Sequence, residues 1–538
     1  MFFSWHNKRV AGRAQSSGTN HNEKRHLFAL AMACAVSAML VPRVFGAEVA
    51  ASAVAGSRSL SLQECVETAL ENNRALQVER INPRLARLAV DGSYGYYSPV
   101  FTSQVQWERD TDTGGFDPAD FSRDAIYSAR SEVANAGLVG FLPSGLSYSL
   151  TGAYAHSDGT RNSLDFDSYK LDSSISVRQP LLRNFWTDQG RTTIALNRKL
   201  LSISELGVAY VALDTINQVQ QCYFELLFAH EYLQAQQGLL AVKQATFAGV
   251  RRQVEVGMLT SLEERLARSE IARVDAQLIA ASNSVVLAEN ALRTHLGQTY
   301  AAWTSGALIP TGRLLLMPES LQMSESWHNA LNSRPDLAQM RRDVERAGIE
   351  VKFRKNQLFP SVDVVAAYGR RGADAIQTLP PTQADASASS AWNQIEDGDA
   401  PNHMVGVVFS TPLTRASEKA SYRAGKLLQE QAALRLKQKE ELILREVSDA
   451  VQNARFAWDR AHATRQAREF AASALEAEEQ KLAGGKSSLF MVYQLQGDLA
   501  DAQFAEARAR ADYNKAVSQL HFAEASLLER YQISVQQP

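Results

Sequence analysis

One segment of the chain occurs twice. Residues 59–99 return at residues 320–360 without a gap. The ten identical positions, each matched 261 residues later, are Ser59, Leu60, Glu64, Ala69, Leu70, Leu76, Arg80, Ala86, Val90 and Pro99. A copy of this length indicates one structural unit built twice, so the repeat constrains the fold before any local motif does.

The segments that follow each copy also come in the same order. Helical periodicity over about 60–96 and 321–358 ends before Pro99 and Pro360, because proline cannot continue a helix. Period-two alternation then predicts strands with two unlike faces. In the first half these are about 100–108, 127–140, 145–156 and 169–179; in the second, 362–368 and 403–409. Polar loops are expected at 109–124, 157–168 and 372–402.

Each strand region ends at a proline, Pro180 or Pro412, and a long helical hairpin follows. The predicted hairpins cover about 190–296 and 416–530, and their turns contain Gly257 and Gly485. The first helix of each would be on the order of 100 Å long at 1.5 Å per residue. A helix of that length needs neighbours along its whole side, as in a coiled coil.

The N-terminus has the features of a secretory signal peptide. A basic region that includes Lys8 and Arg25 precedes an apolar run at 27–41. We expect residues 1–47 to be removed on export, and the residues before Cys34 match a lipoprotein signal poorly. After Val49, no stretch is expected to be apolar enough to form a transmembrane helix. The net charge of -2 provides no excess of positive charge that would favour binding of nucleic acid.

The predicted organisation has five parts: signal peptide (1–47), first repeat (48–297), linker (298–320), second repeat (321–530) and C-terminal tail (531–538). The sequence 484–487 resembles the end of a phosphate-binding loop, but Gln480 stands where the motif needs glycine and a helix replaces the required strand. We find no set of nucleophile, base and orienting residue. The chain is therefore predicted to be no enzyme and to need no metal or cofactor.

The ordered features resemble one family, the outer-membrane efflux proteins of the TolC type. The resemblance rests on the opening pattern Leu62, Ala69-Leu70, Asn73 and Leu76, and on the junction prolines and glycine tips in duplicate. It implies a mainly α fold with a membrane β-barrel part, in which three chains form an α/β-barrel channel. It also implies location in the outer membrane, with the helical barrel in the periplasm.

The resemblance further implies partners and site residues. An inner-membrane pump and a periplasmic adaptor would supply energy and cargo, and outer-membrane lipid would surround the barrel. The adaptor-docking tips would be Gly257, Thr260, Ser261, Leu262, Gly485, Ser487, Ser488 and Leu489. Strand and helix would join at Pro99, Pro180, Pro360 and Pro412.

Two features depart from the family pattern. The paired aspartates expected past the second tip are absent; Met491 and Gln494 stand there, or Phe490 and Tyr493 in the other alignment. The entrance constriction is then either acidic, from Glu263 and Glu264, or apolar, from Leu489, Phe490 and Met491. The first half also has room for four strands where the family has two. The trimer would contain eighteen strands, or twelve with a hairpin outside the barrel.

A periplasmic adaptor and a coiled-coil scaffold are the competing interpretations. An adaptor carries one hairpin between other modules, whereas this chain has two hairpins in tandem; alternating tyrosine-rich strands argue against a scaffold. The cargo, whether drug, metal ion or polypeptide, is left open.

Overall fold

The computed structural model describes residues 58–112, 114–115, 119, 126–161, 164–299, 303, 306–319, 321–378 and 385–532. The predicted signal peptide, Cys34 and most of the C-terminal tail lie outside these residues. The described chain is mainly helical, as predicted, and its strands form one large sheet and one small sheet.

The first half runs from β1 to α5. Its elements are β1 (Arg58–Leu60), α1 (Leu62–Asn72), α2 (Arg74–Glu79), α3 (Ile81–Ser93), a 3₁₀ turn (Tyr94–Tyr97), β2 (Val100–Asp112), β3 (Tyr127–Phe141), β4 (Ser147–Arg161), β5 (Leu164–Pro180), α4 (Gln189–Glu255) and α5 (Ser261–His295).

The second half follows the same order with fewer strands. Its elements are β6 (Leu308–Pro310), α6 (Met323–Ser333), α7 (Pro335–Asn356), β7 (Ser361–Thr378), α8 (Ala388–Asp397), β8 (Pro401–Ser410), α9 (Ala416–Ala483), α10 (Leu489–Glu524) and α11 (Leu527–Arg530). The short strands β1 and β6 pair in parallel and bring the start of the first half beside the segment that joins the halves.

Several predicted boundaries are wrong. The first helical segment divides at Asn73, whose side chain accepts a hydrogen bond from the Leu76 amide and caps a new helix. The second divides at Arg334, because Pro335 begins α7. The predicted loop at 157–168 belongs largely to β4 and β5, since backbone pairing continues through its Ser, Asp and Gly residues. The loop predicted at 372–402 contains the end of β7 and all of α8.

The long helices α4 and α9 contain 67 and 68 residues, so each is about 100 Å long. In these two helices, and in α5 and α10 that complete the hairpins, buried residues recur at intervals of seven. The series are Ala229, Gln236, Lys243 and Val250 in α4; Ala267, Val274, Ala281 and Ala288 in α5; Ile443, Ala450 and Ala457 in α9; and Tyr493, Ala500 and Ala507 in α10. A strict repeat of seven produces left-handed coiling of neighbouring helices. Small residues dominate these series and allow close approach of the helices.

Two hydrophobic cores lie between the hairpins and the short helices. The larger joins Leu76 of α2, Ile216 and Tyr223 of α4, and Leu292 of α5. The smaller joins Leu337 of α7 to α9 and α10. In α4 and α5 the most apolar stretch of eighteen residues reaches a mean hydropathy of 1.2, enough by length and composition to cross a membrane. That finding corrects the expectation that no later stretch is so apolar. The same helices are members of the coiled hairpin, and 39% and 22% of those stretches are buried within this chain.

Candidate functional site

The large sheet contains six strands in the order β2-β3-β4-β5-β7-β8, and every neighbouring pair is antiparallel. The two strands β3 and β4 extend the first half beyond the two strands of the second. Both pair fully with their neighbours, through 13 residues between β2 and β3 and 15 between β3 and β4. They are therefore part of the sheet, and β2 and β8 are its two edges.

Residues alternate between two unlike faces of this sheet. The register places on one face, the apolar face, Phe101, Val105, Trp107, Leu138, Leu150, Tyr154, Leu171, Ile175, Val364, Tyr368, Val405, Val407 and Phe409. Several are strongly exposed within this chain, for example Trp107 at 71% and Val405 at 81%. An apolar face of this size needs a cover, either lipid or protein.

The opposite face, the polar face, carries hydroxyl pairs and ion pairs. Ser149 and Ser176 lie 2.7 Å apart through their hydroxyl oxygens, and Thr151 and Ser174 lie 2.8 Å apart. At the end near the helices, Arg178 Nε donates to the buried carboxylate of Asp363 at 2.8 Å. The strands are thus apolar on one side and polar on the other, the pattern of a barrel with lipid outside and water inside.

The strands are staggered in one direction. Val100, Val139, Ser149, Ser176, Ala367 and Met404 lie opposite one another in successive strands. Val100 begins β2, whereas Met404 lies six residues before the end of β8. Both of those strand ends adjoin helices. Six residues at about 3.3 Å each shift the strands by about 20 Å along their length. The five steps between neighbouring strands, at about 4.8 Å each, span about 24 Å across the sheet. The corresponding tilt of about 40° lies within the 35–45° of closed barrels.

The proline residues lie where strand and helix meet. Pro99 and Pro360 directly precede β2 and β7, Pro180 is the last residue of β5, and Pro412 lies two residues after β8. Side chains connect the two halves at this level. Asn356 Oδ1 accepts a hydrogen bond from the Asn184 amide at 2.7 Å, and Arg183 Nε donates to Gln357 Oε1 at 2.7 Å.

The first hairpin tip is a glycine turn followed by a capped helix. Gly257 has φ +78°, and nothing lies within 4 Å of the position a Cβ would take. Glycine is therefore favoured by its backbone conformation and not by crowding. Thr260 precedes α5 and caps it in a capping box, in which the Thr260 amide donates to Glu263 Oε2 at 2.6 Å. Leu262 is 63% exposed beside it, and Ser261 is also exposed.

The second tip repeats this construction. Gly485, and not Gly484, has the left-handed conformation, with φ +69°. Ser488 caps α10 by accepting a hydrogen bond from the Met491 amide at 3.4 Å. Ser487 donates to Glu478 Oε1 at 2.5 Å, and Leu489 is partly buried.

The candidate constriction residues differ in their contacts within the chain: the two glutamates have polar partners, whereas the residues past the second tip are exposed. The capping box holds Glu263 and lowers the pKa of its carboxyl group, because the Thr260 side chain and backbone donate to it. Glu264 lies 3.4 Å from Arg268 of the same helix. Beyond the second tip, Phe490 is 63% exposed and Met491 is 41% exposed, while Gln494 is exposed one turn further on.

A buried polar cluster near the tips was missed in the sequence analysis. Lys243 of α4 lies 3.8 Å from the Glu270 carboxylate of α5, donates to Gln496 Oε1 of α10 at 3.2 Å, and lies 4.8 Å from the Tyr493 ring centre. Burial lowers the pKa of Lys243, and Glu270 partly offsets this effect. Three helices from both hairpins meet here. The interval of seven from Ala229 to Val250 would have identified Lys243 as a core position.

Among the described residues, no group of three or more His, Cys, Asp or Glu side chains is arranged to hold a metal ion. What the structure brings together instead is a two-faced tilted sheet, two long hairpins and two exposed tips.

Comparison with known proteins gives one family and a consistent set of folds. A model of the family described as Outer membrane efflux protein matches residues 125–298 and 327–524. No curated protein sequence matches the chain. Among solved structures, the chain resembles the CmeC outer membrane channel of Campylobacter jejuni, with a TM-score of 0.62 and 14% identity over 86% of this chain and 85% of that one.

Two further structures agree. The outer membrane protein VceC of Vibrio cholerae has a TM-score of 0.60 and 16% identity, over 86% of this chain and 95% of that one. CusC, solved in a study of transmembrane channel formation, has a TM-score of 0.62 and 16% identity, over 86% of this chain and 91% of that one. At these identities the likeness concerns the fold.

Proposed function

The chain belongs to the outer membrane efflux protein family, and we propose that it forms the outer-membrane channel of a tripartite efflux or type I secretion system. The observation that carries this proposal is the joining, in one chain, of a tilted two-faced sheet to two hairpins about 100 Å long. The sheet suits a bilayer and the hairpins suit the depth of a periplasm.

The sheet supports the membrane part of the proposal. Each of its strands has at least ten residues, and a tilted strand needs about 9–11 to cross a bilayer. The apolar face would contact lipid and the polar face would line water. The six strands leave two edges with unpaired backbone groups, which are costly in a membrane. Copies of the chain would pair these edges, and we propose a homotrimer.

The hairpins support the periplasmic part. Their heptad-spaced cores would extend laterally from copy to copy and form a helical barrel that continues the duct. The exposed tips around Gly257 and Gly485 would contact a periplasmic adaptor, which connects the channel to an inner-membrane pump. Transport through this chain would be passive, and the pump would supply the energy.

A periplasmic adaptor or a coiled-coil scaffold without channel activity is the second candidate. The six-stranded sheet favours the channel, because a soluble protein would not leave the side chains of Trp107, Val405 and Val407 exposed on one face.

Cell fractionation tests the proposal. The full chain, expressed with its own signal, should sediment with outer membranes and migrate as a trimer that dissociates on heating before electrophoresis. Reconstituted in a planar bilayer, it should produce discrete conductance steps. A soluble periplasmic monomer would contradict the channel and support the adaptor or scaffold.

A further inference from the structure

The edges of the large sheet point to one arrangement of neighbouring copies. We propose that β8 of each copy pairs with β2 of the next, so that three copies close a barrel of eighteen strands with an exit wider than that of a twelve-stranded barrel. This inference rests on the proposed function, because it takes the trimer and the membrane location from there.

The first argument is the position of the β3–β4 hairpin. Both strands are paired along their whole lengths on both sides, β3 with β2 and β4 with β5. A hairpin lying outside a twelve-stranded barrel would require β2 to pair with β5 instead. The register therefore places all six strands of each copy in the wall.

The second argument is the stagger. A barrel closes only if the strand tilt and the shift between successive strands agree around the whole circle. The six-residue shift over the five steps within one copy gives a tilt of about 40°, already that of a closed barrel. No bend or change of register is needed at the contact between copies.

The third argument is the match of faces across that contact. A shift by an odd number of residues would put apolar side chains on the polar face. Two registers between β8 and β2 of the next copy keep apolar residues opposite apolar ones and continue the shift seen within the chain. Val405 then lies opposite Val105 or opposite Trp107 of the neighbouring copy. In both, β-branched and aromatic side chains pair on the lipid side, a favourable cross-strand combination.

The added hairpin also decides what lines the exit. The polar face of β3 and β4 carries small uncharged residues over most of its length: Ala129, Ser131, Val133, Asn135, Gly137, Ser147, Ser149, Thr151, Ala153, Ala155 and Ser157. Because barrel diameter grows roughly linearly with strand number, eighteen strands give about 1.5 times the diameter of twelve. The exit would thus be wide, and the part that β3 and β4 add would be mostly neutral, whereas β2, β5 and β7 place charged side chains such as Glu108, Lys170 and Arg371 on the same face. Selection by size would lie in the helical part.

Cysteine labelling in intact cells tests the place of the hairpin. Ala153→Cys on the polar face of β4 should react with a membrane-impermeant, water-soluble maleimide added from outside. Leu150→Cys, on the apolar face of the same strand, should not react, and the parent chain corrects for native cysteines. Reaction at both positions, or at neither, in a trimer that is correctly inserted would overturn the eighteen-stranded wall.

Disulfide formation tests the pairing between copies. Val405→Cys combined with Val105→Cys, or with Trp107→Cys, should give covalent dimers and trimers on mild oxidation, whereas each single variant should not. A heat-modifiable trimer in which neither combination cross-links would refute the β8–β2 contact while leaving the channel proposal intact. Loss of outer-membrane location in the parent chain would instead refute the proposed function itself.

Discussion

Lys243 allows a direct test of how the two hairpins are held together. Its side chain is 1% exposed and its charge is opposed by Glu270, which is 27% exposed and also pairs with Arg273 at 2.8 Å. Removing one partner of a buried pair costs about 3–5 kcal/mol, whereas replacing the buried charge by a well-packed apolar group is often neutral. Since water and Arg273 reach Glu270, we expect Glu270→Gln to cost about 1–3 kcal/mol. Lys243→Met should change stability by less than about 1 kcal/mol.

The same cluster predicts a dependence on pH. Burial lowers the pKa of Lys243 in the folded chain below its ordinary value in the unfolded chain. Between the folded and unfolded pKa values the unfolded chain binds more protons, so stability should rise with pH across that window. Lys243→Met removes the titrating group and should remove this rise.

Thermal unfolding of the detergent-solubilised protein, followed by circular dichroism at pH 7 and at pH 9.5, measures both effects. Glu255→Gln is the matched control, because the Arg251–Glu255 pair is 63% and 60% exposed, and such pairs contribute under about 1 kcal/mol. The reasoning is refuted if Lys243→Met is more destabilising than Glu270→Gln, or if it leaves the rise with pH unchanged.

Three further predictions concern the tips, the junction and the core. Gly257→Val and Gly485→Val should each strain a left-handed turn by about 1–2 kcal/mol, and should reduce both export and the recovery of the adaptor in pull-down experiments. Trimers should persist on gels, and normal export would contradict the assignment of the tips. Asp363→Asn should lower the temperature at which the trimer dissociates on a gel by several degrees, because Asp363 is 3% exposed and accepts from Arg178; an unchanged temperature would show the pair to be dispensable. Ile443→Ala should cost about 2–5 kcal/mol in thermal unfolding, since Ile443 is fully buried, and a smaller loss would indicate that the core relaxes around it.

The order of elements follows from local features of the sequence, whereas several boundaries do not. Prolines and glycines end elements for steric reasons, so Pro99, Pro180 and Gly257 indicated where strands and helices stop. The extension of β4 to Arg161 and the start of β5 at Leu164 were not predicted. Backbone pairing continues there through polar residues, so the alternation of apolar and polar residues no longer marks the strands. Helix α8 escaped for a different reason: it packs Ala391 against β7 at Gly372, a tertiary contact without a periodic signal in so short a helix.

We expect the exposed apolar surfaces of the chain to have two kinds of cover, which differ in their sequence pattern. On the sheet, apolar residues alternate with polar ones at period two, as on the wall of a membrane barrel, so we expect lipid to cover them. On α4 and α5, stretches as apolar as a membrane span are only 39% and 22% buried within the chain, and buried residues recur every seven positions over 229–250 in α4 and 267–288 in α5. That interval is produced by packing against other helices and not by lipid, which requires no register. The remaining apolar surface of α4 and α5 is therefore expected to pack on helices of neighbouring copies, so that the copies that complete the sheet also complete the helical wall.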